Sequence, residues 1–240
     1  MIISQKYRYI FIHCRKSAGS SIEAALARHL GPLDIKVGGW SDARAYGIKP
    51  NFRSLLCLMH PKGISSSIKK IAQGSSPLSA LNRASRDVFD RFGTRKSAEE
   101  MAHVMGDAWN DYFKFCVVRN PYDRMVSDYY WKTKSLESPM PFPDFVDSFD
   151  DDKVDGNGHD GNWKLYTIND EIAVDRCIKF ENINCELDEV CRYLGIPWDG
   201  ELPQAKGKYR QEKDIYTDRE RQIVARLSRK EINYFGFEPV

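Results

Sequence analysis

Residues 12–22 read Ile-His-Cys-Arg-Lys-Ser-Ala-Gly-Ser-Ser-Ile, a stretch that collects one lysine, three hydroxyls and a glycine. Small residues let backbone N–H groups come close to an anion, and a helix starting there adds about half a positive charge pointing the same way. Lys16 supplies a full charge, and Ser17, Ser20 and Ser21 supply donors. The chemistry this could do is to cradle a terminal phosphate or sulfate between Arg15, Lys16, Ser17, Ala18, Gly19, Ser20 and Ser21. It is not a Walker A loop, which places its Lys-Ser/Thr at the end of a glycine run and uses the hydroxyl to hold magnesium. Here the lysine comes first and the Gly-Ser pair follows. The plain alternative is a well-capped strand–helix turn.

A second constellation lies at Phe115-Cys116-Val117-Val118-Arg119-Asn120-Pro121-Tyr122-Asp123-Arg124-Met125-Val126-Ser127. Arg119 leaves the carboxyl end of an apolar strand, where α/β folds bind ligands. Ser127 lies two turns into the helix that follows, so one phosphate near the strand end could meet both. Arginine suits bidentate phosphate capture. The competing reading makes Arg119 and Arg124 surface ion-pair partners. Two anion cradles without metal ligands suggest a nucleotide carrying two remote phosphate-like groups.

The elements that must position these residues follow from periodicity. Residues 6–12 read as a buried strand, and Ile22, Ala25, Leu26 and Leu30 recur at helical spacing until Gly31-Pro32. Residues 31–53 carry no clear pattern. Residues 55–59 (Leu-Leu-Cys-Leu-Met) suggest a strand ended by His60-Pro61, and residues 63–96 an insertion around short helices. Ser97 can cap a helix over 97–109, with Glu99 and Glu100 in its first turn. Residues 113–118 form the second clear strand, and Pro121 suits the first position of a helix over 122–134. Residues 147–162 read as an acidic loop, 172–180 as a third apolar run and 184–194 as an amphipathic helix. Thr217 and Glu220 form a capping box for a last helix running to about Lys230. This alternation predicts an α/β fold with a mainly parallel sheet.

Composition bounds the rest. The chain has 240 residues, 42% hydrophobic and 29% charged, which fits a globular protein and excludes disordered, collagen-like and coiled-coil chains. A net charge of +2, from 36 basic and 34 acidic residues, makes no global case for nucleic-acid binding. No window approaches the ~18 apolar residues of a membrane span. The N-terminus shows no targeting peptide. Six cysteines, none in a CxxC pair, read as reduced core thiols of a cytoplasmic protein.

The two anion motifs together resemble the sulfotransferases that use 3′-phosphoadenosine 5′-phosphosulfate, in the carbohydrate-type branch with its small bacterial members. That family carries a His-x-Pro-Lys-Thr-Ala-Gly-Thr-Ser loop for the 5′-phosphosulfate and an Arg-Asn-Pro-Tyr-Asp-Arg-x-x-Ser segment for the 3′-phosphate. This chain matches both almost residue for residue, with Arg15 in place of the proline. Asp175–Asn182, Tyr193–Ile196, Leu202–Thr217 and Asn233–Phe237 resemble the family's later segments. The resemblance implies one domain over residues 1–240, an α/β, P-loop-like three-layer fold with a central mainly parallel sheet flanked by helices, and acceptor-side insertions at 31–95 and 135–170.

It also implies in-line sulfuryl transfer to a hydroxyl or amine of an acceptor, a glycan or other hydroxyl-bearing molecule, without a metal. Lys16 would stabilise charge on the leaving phosphate oxygen, Arg119 and Ser127 would hold the 3′-phosphate, and Lys206, Lys208 and Arg210 would close over the nucleotide. The family's general-base histidine has no counterpart, since Arg95 stands in that neighbourhood. Arginine is no base at neutral pH. His60, His103, His159 and Glu23 are the other candidates, His60 foremost, with His13 read as a positioning residue. Residues 151–162 carry Lys153 and Asn162 where a calcium loop needs other ligands, and so read as an acidic loop. His159, Asp160 and Trp163 could line an acceptor pocket. The competing functions are a non-catalytic nucleotide-binding relative, motivated by Arg95, and an atypical metal-dependent P-loop kinase.

Overall fold

The computed structural model describes residues 1–93, 95–149, 162–203 and 215–239. The chain opens with strands β1 (Ile2–Ser4) and β2 (Tyr9–Ile12), helix α1 (Gly19–Ala27), strand β3 (Ile35–Lys36) and helices α2 (Trp40–Arg44), α3 (Phe52–Leu56), α4 (Pro61–Ala72), α5 (Pro77–Val88), α6 (Ala98–Met105) and α7 (Ala108–Asp111). Strand β4 (Phe113–Val118) leads into α8 (Pro121–Thr133) and α9 (Phe142–Asp147). After them come α10 (Trp163–Tyr166), a small hairpin of β5 (Thr167–Ile168) and β6 (Glu171–Ile172), strand β7 (Arg176–Lys179), α11 (Ile183–Leu194), α12 (Asp218–Leu227) and α13 (Arg229–Phe235).

The central sheet has the order β3-β1-β2-β4-β7. It is parallel through β2, β4 and β7, while β1 runs antiparallel to both β2 and β3. Strand residues alternate between its faces. Phe11, Phe115, Val117 and Ile178 pack with Ile22 and Leu26 of α1 and Leu187 and Val190 of α11. Ile10, Ile12, Cys116 and Val118 pack with Met101 of α6 and Trp163 and Tyr166 of α10. Helices thus cover both faces.

Four expectations are corrected. Residues 55–59 belong to α3 and the turn after it, not to a strand. The run has leucine and methionine but no β-branched residue, and Asn51 caps the helix by accepting the Ser54 N–H at 3.2 Å. The helix expected over 97–109 is broken after Met105 by Gly106, whose φ of 56° ends α6. The last helix divides at Ser228, and its second part extends to Phe235. The six cysteines form no disulfide, but Cys185 is exposed rather than a core thiol. No helix among the described residues is long and apolar enough to cross a membrane.

Candidate functional site

Strand β2 delivers the chain into the loop 13–18, where Lys16 and Ala18 take left-handed φ values of 58° and 56°. Each such turn costs a residue with a Cβ about 1–2 kcal/mol, and left-handed residues alternating with right-handed ones gather successive N–H groups into an anion-binding concavity. Ala18 is the N-cap of α1, and its carbonyl accepts the N–H groups of Ser21 at 2.9 Å and Ile22 at 3.1 Å. Gly19 is demanded by close approach, because a Cβ there would lie 2.5 Å from His13 Nε2. Ser17 is buried, and its hydroxyl donates to the Arg15 carbonyl at 3.2 Å. Ser20 is half-buried and Ser21 buried in the first turn of α1.

His13 is aligned from behind. Its Nδ1 lies 2.8 Å from Glu23 Oε1, and Glu23 is buried with Lys36 Nζ at 3.2 Å and the Met1 amino group. Burial alone would push the Glu23 carboxyl up, but the charges of the Met1 amino group and Lys36, and then His13 with its hydrogen bond, outweigh it and hold the carboxyl well below the usual range. An ionised Glu23 only accepts, so Nδ1 carries the proton and Nε2 is left against Gly19.

The register Ile12↔Cys116 sets the carboxyl ends of β2 and β4 side by side. Arg119, just beyond β4, donates from Nη1 to the Lys16 carbonyl at 3.1 Å, and its guanidinium lies 4.3 Å from the Phe180 ring centre. The two motifs, 103 residues apart in the chain, therefore touch. Ser127 is half-buried on α8.

The rest of the second motif is architectural. Asn120 caps α8 by accepting the Tyr122 N–H at 3.0 Å, and its Nδ2 donates to the Glu238 carbonyl at 2.8 Å. The Tyr216 hydroxyl donates to the Tyr122 carbonyl at 2.8 Å. Arg124 is buried, pairs with the fully buried Glu231 and donates to Ser228 Oγ at 3.3 Å, so it is no surface ion-pair residue. Glu231 also accepts from the Tyr166 hydroxyl. These contacts bolt the N-terminal end of α8 to the C-terminal helices and thereby fix where Arg119 emerges.

Three further residues hold the loop. Asn162, 2% exposed, accepts the Arg15 N–H on Oδ1 at 2.9 Å and donates from Nδ2 to the Arg15 carbonyl at 3.0 Å. The first bond needs an N–H at position 15, which a proline would lack. The Arg15 guanidinium pairs at 3.5 Å with Asp128, itself 3.1 Å from Lys132. Lys16 Nζ sits 4.8 Å from the Trp131 ring centre, and Lys134 Nζ lies 3.4 Å from the same ring. Trp131 falls within the helix expected over 122–134, though nothing marked it for this role, and Asn162 carried no local signal for its own.

His60 is placed differently from expectation. It is the exposed N-cap of α4, its Nδ1 accepting the Lys62 N–H at 3.2 Å, rather than the end of a strand. His103 is exposed on α6. Arg95 is exposed; partial burial and then the Arg15 charge lower its pKa. His159, Asp160, Lys206, Lys208, Arg210 and most of the acidic segment 151–162 lie outside the described residues. Among the described residues no group of three or more His, Cys, Asp or Glu side chains is arranged to hold a metal ion.

Comparison with curated proteins and with solved structures yields no match. A family model for the sulfotransferase family matches residues 1–235, which takes in both anion motifs, every strand of the sheet and the helices that bolt α8 in place. On that match the chain belongs to the sulfotransferase family.

Proposed function

We propose that the protein moves a sulfuryl group from 3′-phosphoadenosine 5′-phosphosulfate to a hydroxyl or amine of an acceptor, a carbohydrate in the reading favoured here. The observation that carries this is the 3.1 Å bond from Arg119 to the Lys16 carbonyl, which joins the two anion motifs at neighbouring strand ends. In this reading the strand–loop–helix unit is P-loop-like, and the start of α1 with Lys16 faces the 5′-phosphosulfate. Arg119 and Ser127 take the 3′-phosphate, with Lys208 and Arg210 closing over the nucleotide. Residues 1–240 act as one domain, and residues 31–95 and 135–170 carry the acceptor side.

The acceptor oxygen or nitrogen attacks sulfur in line, and the bond from sulfur to the 5′-phosphate oxygen breaks. Lys16 stabilises the charge left on that oxygen, and the acceptor's proton passes to a base or to water. No metal takes part in this scheme. The Glu23–His13 pair acts as a positioning unit for the loop.

Arg95, in the neighbourhood where the resemblance calls for a general-base histidine, favours a second reading, a relative that binds the nucleotide without turnover. Thermal shift and turnover separate the two. Adenosine 3′,5′-bisphosphate should raise Tm without magnesium, the equivalent of about 2.7 kcal/mol at a hundredfold excess over Kd. A shift seen only with ATP and magnesium would contradict the proposal. Sulfuryl transfer to one member of a glycan panel, followed by mass spectrometry, supports the enzyme; binding with no transfer to any acceptor supports the second reading.

A further inference from the structure

Residues 43–86 contain eight basic side chains and no acidic one, whereas the rest of the chain carries 28 basic and 34 acidic side chains. The same segment also holds many of the exposed large hydrophobic side chains among the described residues. Of the thirteen large hydrophobic residues exposed among the described residues, seven lie between Phe52 and Ile71. Leu55, Leu56 and Met59 belong to α3 and the turn after it, and Ile64, Ile68 and Ile71 to α4, the last three being 42%, 63% and 57% exposed.

Helix α4 is turned the wrong way round for a core helix. It buries Gly63 and Ser67, and a Cβ at Gly63 would meet the Cys57 carbonyl and lie 3.3 Å from Ala84 of α5. At 3.6 residues per turn, Ile71, Ile64, Ile68, Pro61 and Ala72 share one outward sector about 100° wide. Lys62, Lys69 and Lys70 occupy the sector beyond it, where they line a groove against α5 with Arg83 and Asp87, the last two paired at 3.0 Å. An amphipathic helix with isoleucines outward and lysines on its polar side fits the interface of a lipid bilayer.

We propose that α3 and α4 form a peripheral docking surface for an anionic lipid bilayer, the isoleucines entering the headgroup boundary and the acid-free basic segment drawing the protein to it. Charge decides against the simplest alternative. A symmetric contact with a second copy would press the same basic surface against itself, whereas an anionic membrane attracts it. The inference is independent of the proposed function.

The test is co-sedimentation with vesicles of equal parts phosphatidylglycerol and phosphatidylcholine, and with phosphatidylcholine alone, at low and high salt. The protein should sediment with the anionic vesicles only, and less at high salt. The variant carrying Ile64→Ser, Ile68→Ser and Ile71→Ser should partition at least about tenfold more weakly, as should Lys62→Glu with Lys69→Glu and Lys70→Glu. Ile68→Asp, at a side chain 63% exposed, tests the same face should the triple change unfold the protein. Three results would overturn the proposal: no sedimentation with anionic vesicles, undiminished binding by a folded isoleucine variant, or, in ultracentrifugation, a dimer that the isoleucine changes abolish.

Discussion

Replacing Asn162 with alanine removes the two bonds, 2.9 and 3.0 Å long, that hold the Arg15 peptide. Each is a neutral amide bond worth about 0.5–1.5 kcal/mol. Because the side chain is 2% exposed, water does not readily replace them, and the expected loss is about 1–3 kcal/mol. Urea denaturation reads the global part, and amide exchange at residues 15–17 reads local opening of the loop. A double-mutant cycle isolates the bond to the Arg15 N–H. Arg15→Pro deletes that N–H, so Asn162→Ala should cost about 1 kcal/mol less in the Arg15→Pro background than in the parent. Arg15→Ala keeps the N–H and should show almost no such coupling. Equal coupling in both backgrounds, or an Asn162→Ala protein with parental stability and parental exchange, would refute the reasoning.

Three further outcomes are expected. Lys16→Ala should lower the transfer rate about 10²-fold or more while weakening nucleotide affinity far less, because its charge matters most on the leaving oxygen; single-turnover kinetics beside calorimetry separates the two. Arg124→Ala strips the buried Glu231 of its partner and should cost about 3–5 kcal/mol in urea denaturation, without a matching loss of specificity for the 3′-phosphate. Glu23 has a carboxyl held below its ordinary value of 4.5, so the stability it confers is complete above that pH and fades as the pH falls through its folded pKa. The stability gap between the parent and Glu23→Gln should therefore narrow as the pH falls below about 4.5.

Local codes were legible in the sequence. Strand 113–118 and the helix that begins at Pro121 were readable from β-branched and aromatic content and from the proline. The Ser97 cap and the Thr217–Glu220 capping box are both formed, because each needs only residues within one turn. The apolar run 55–59 was ambiguous in period, and leucine and methionine let the Asn51 cap decide for helix. The break at Ser228 coincides with its contact to Arg124, 104 residues away, which no nearby residue announces.

The site divides in the same way. The loop 12–22 and the Arg119 segment were visible as motifs because their donors are clustered in sequence. Asn162 on Arg15, 147 residues apart, and Arg124 on Glu231, 107 residues apart, depend on how the sheet and the C-terminal helices pack. Arg124 shows the cost of reading type without burial: a guanidinium in an anion motif turned out to be a buried strut.

Calorimetry of adenosine 3′,5′-bisphosphate and of adenosine 5′-monophosphate, each against the parent protein and Arg119→Ala, tests the central claim that both motifs grip one nucleotide. Arg119→Ala should weaken the bisphosphate by about 1.5–3 kcal/mol and the monophosphate by much less. Equal losses for the two nucleotides would mean that Arg119 acts only by holding the Lys16 loop, and an unchanged bisphosphate affinity would contradict the claim outright.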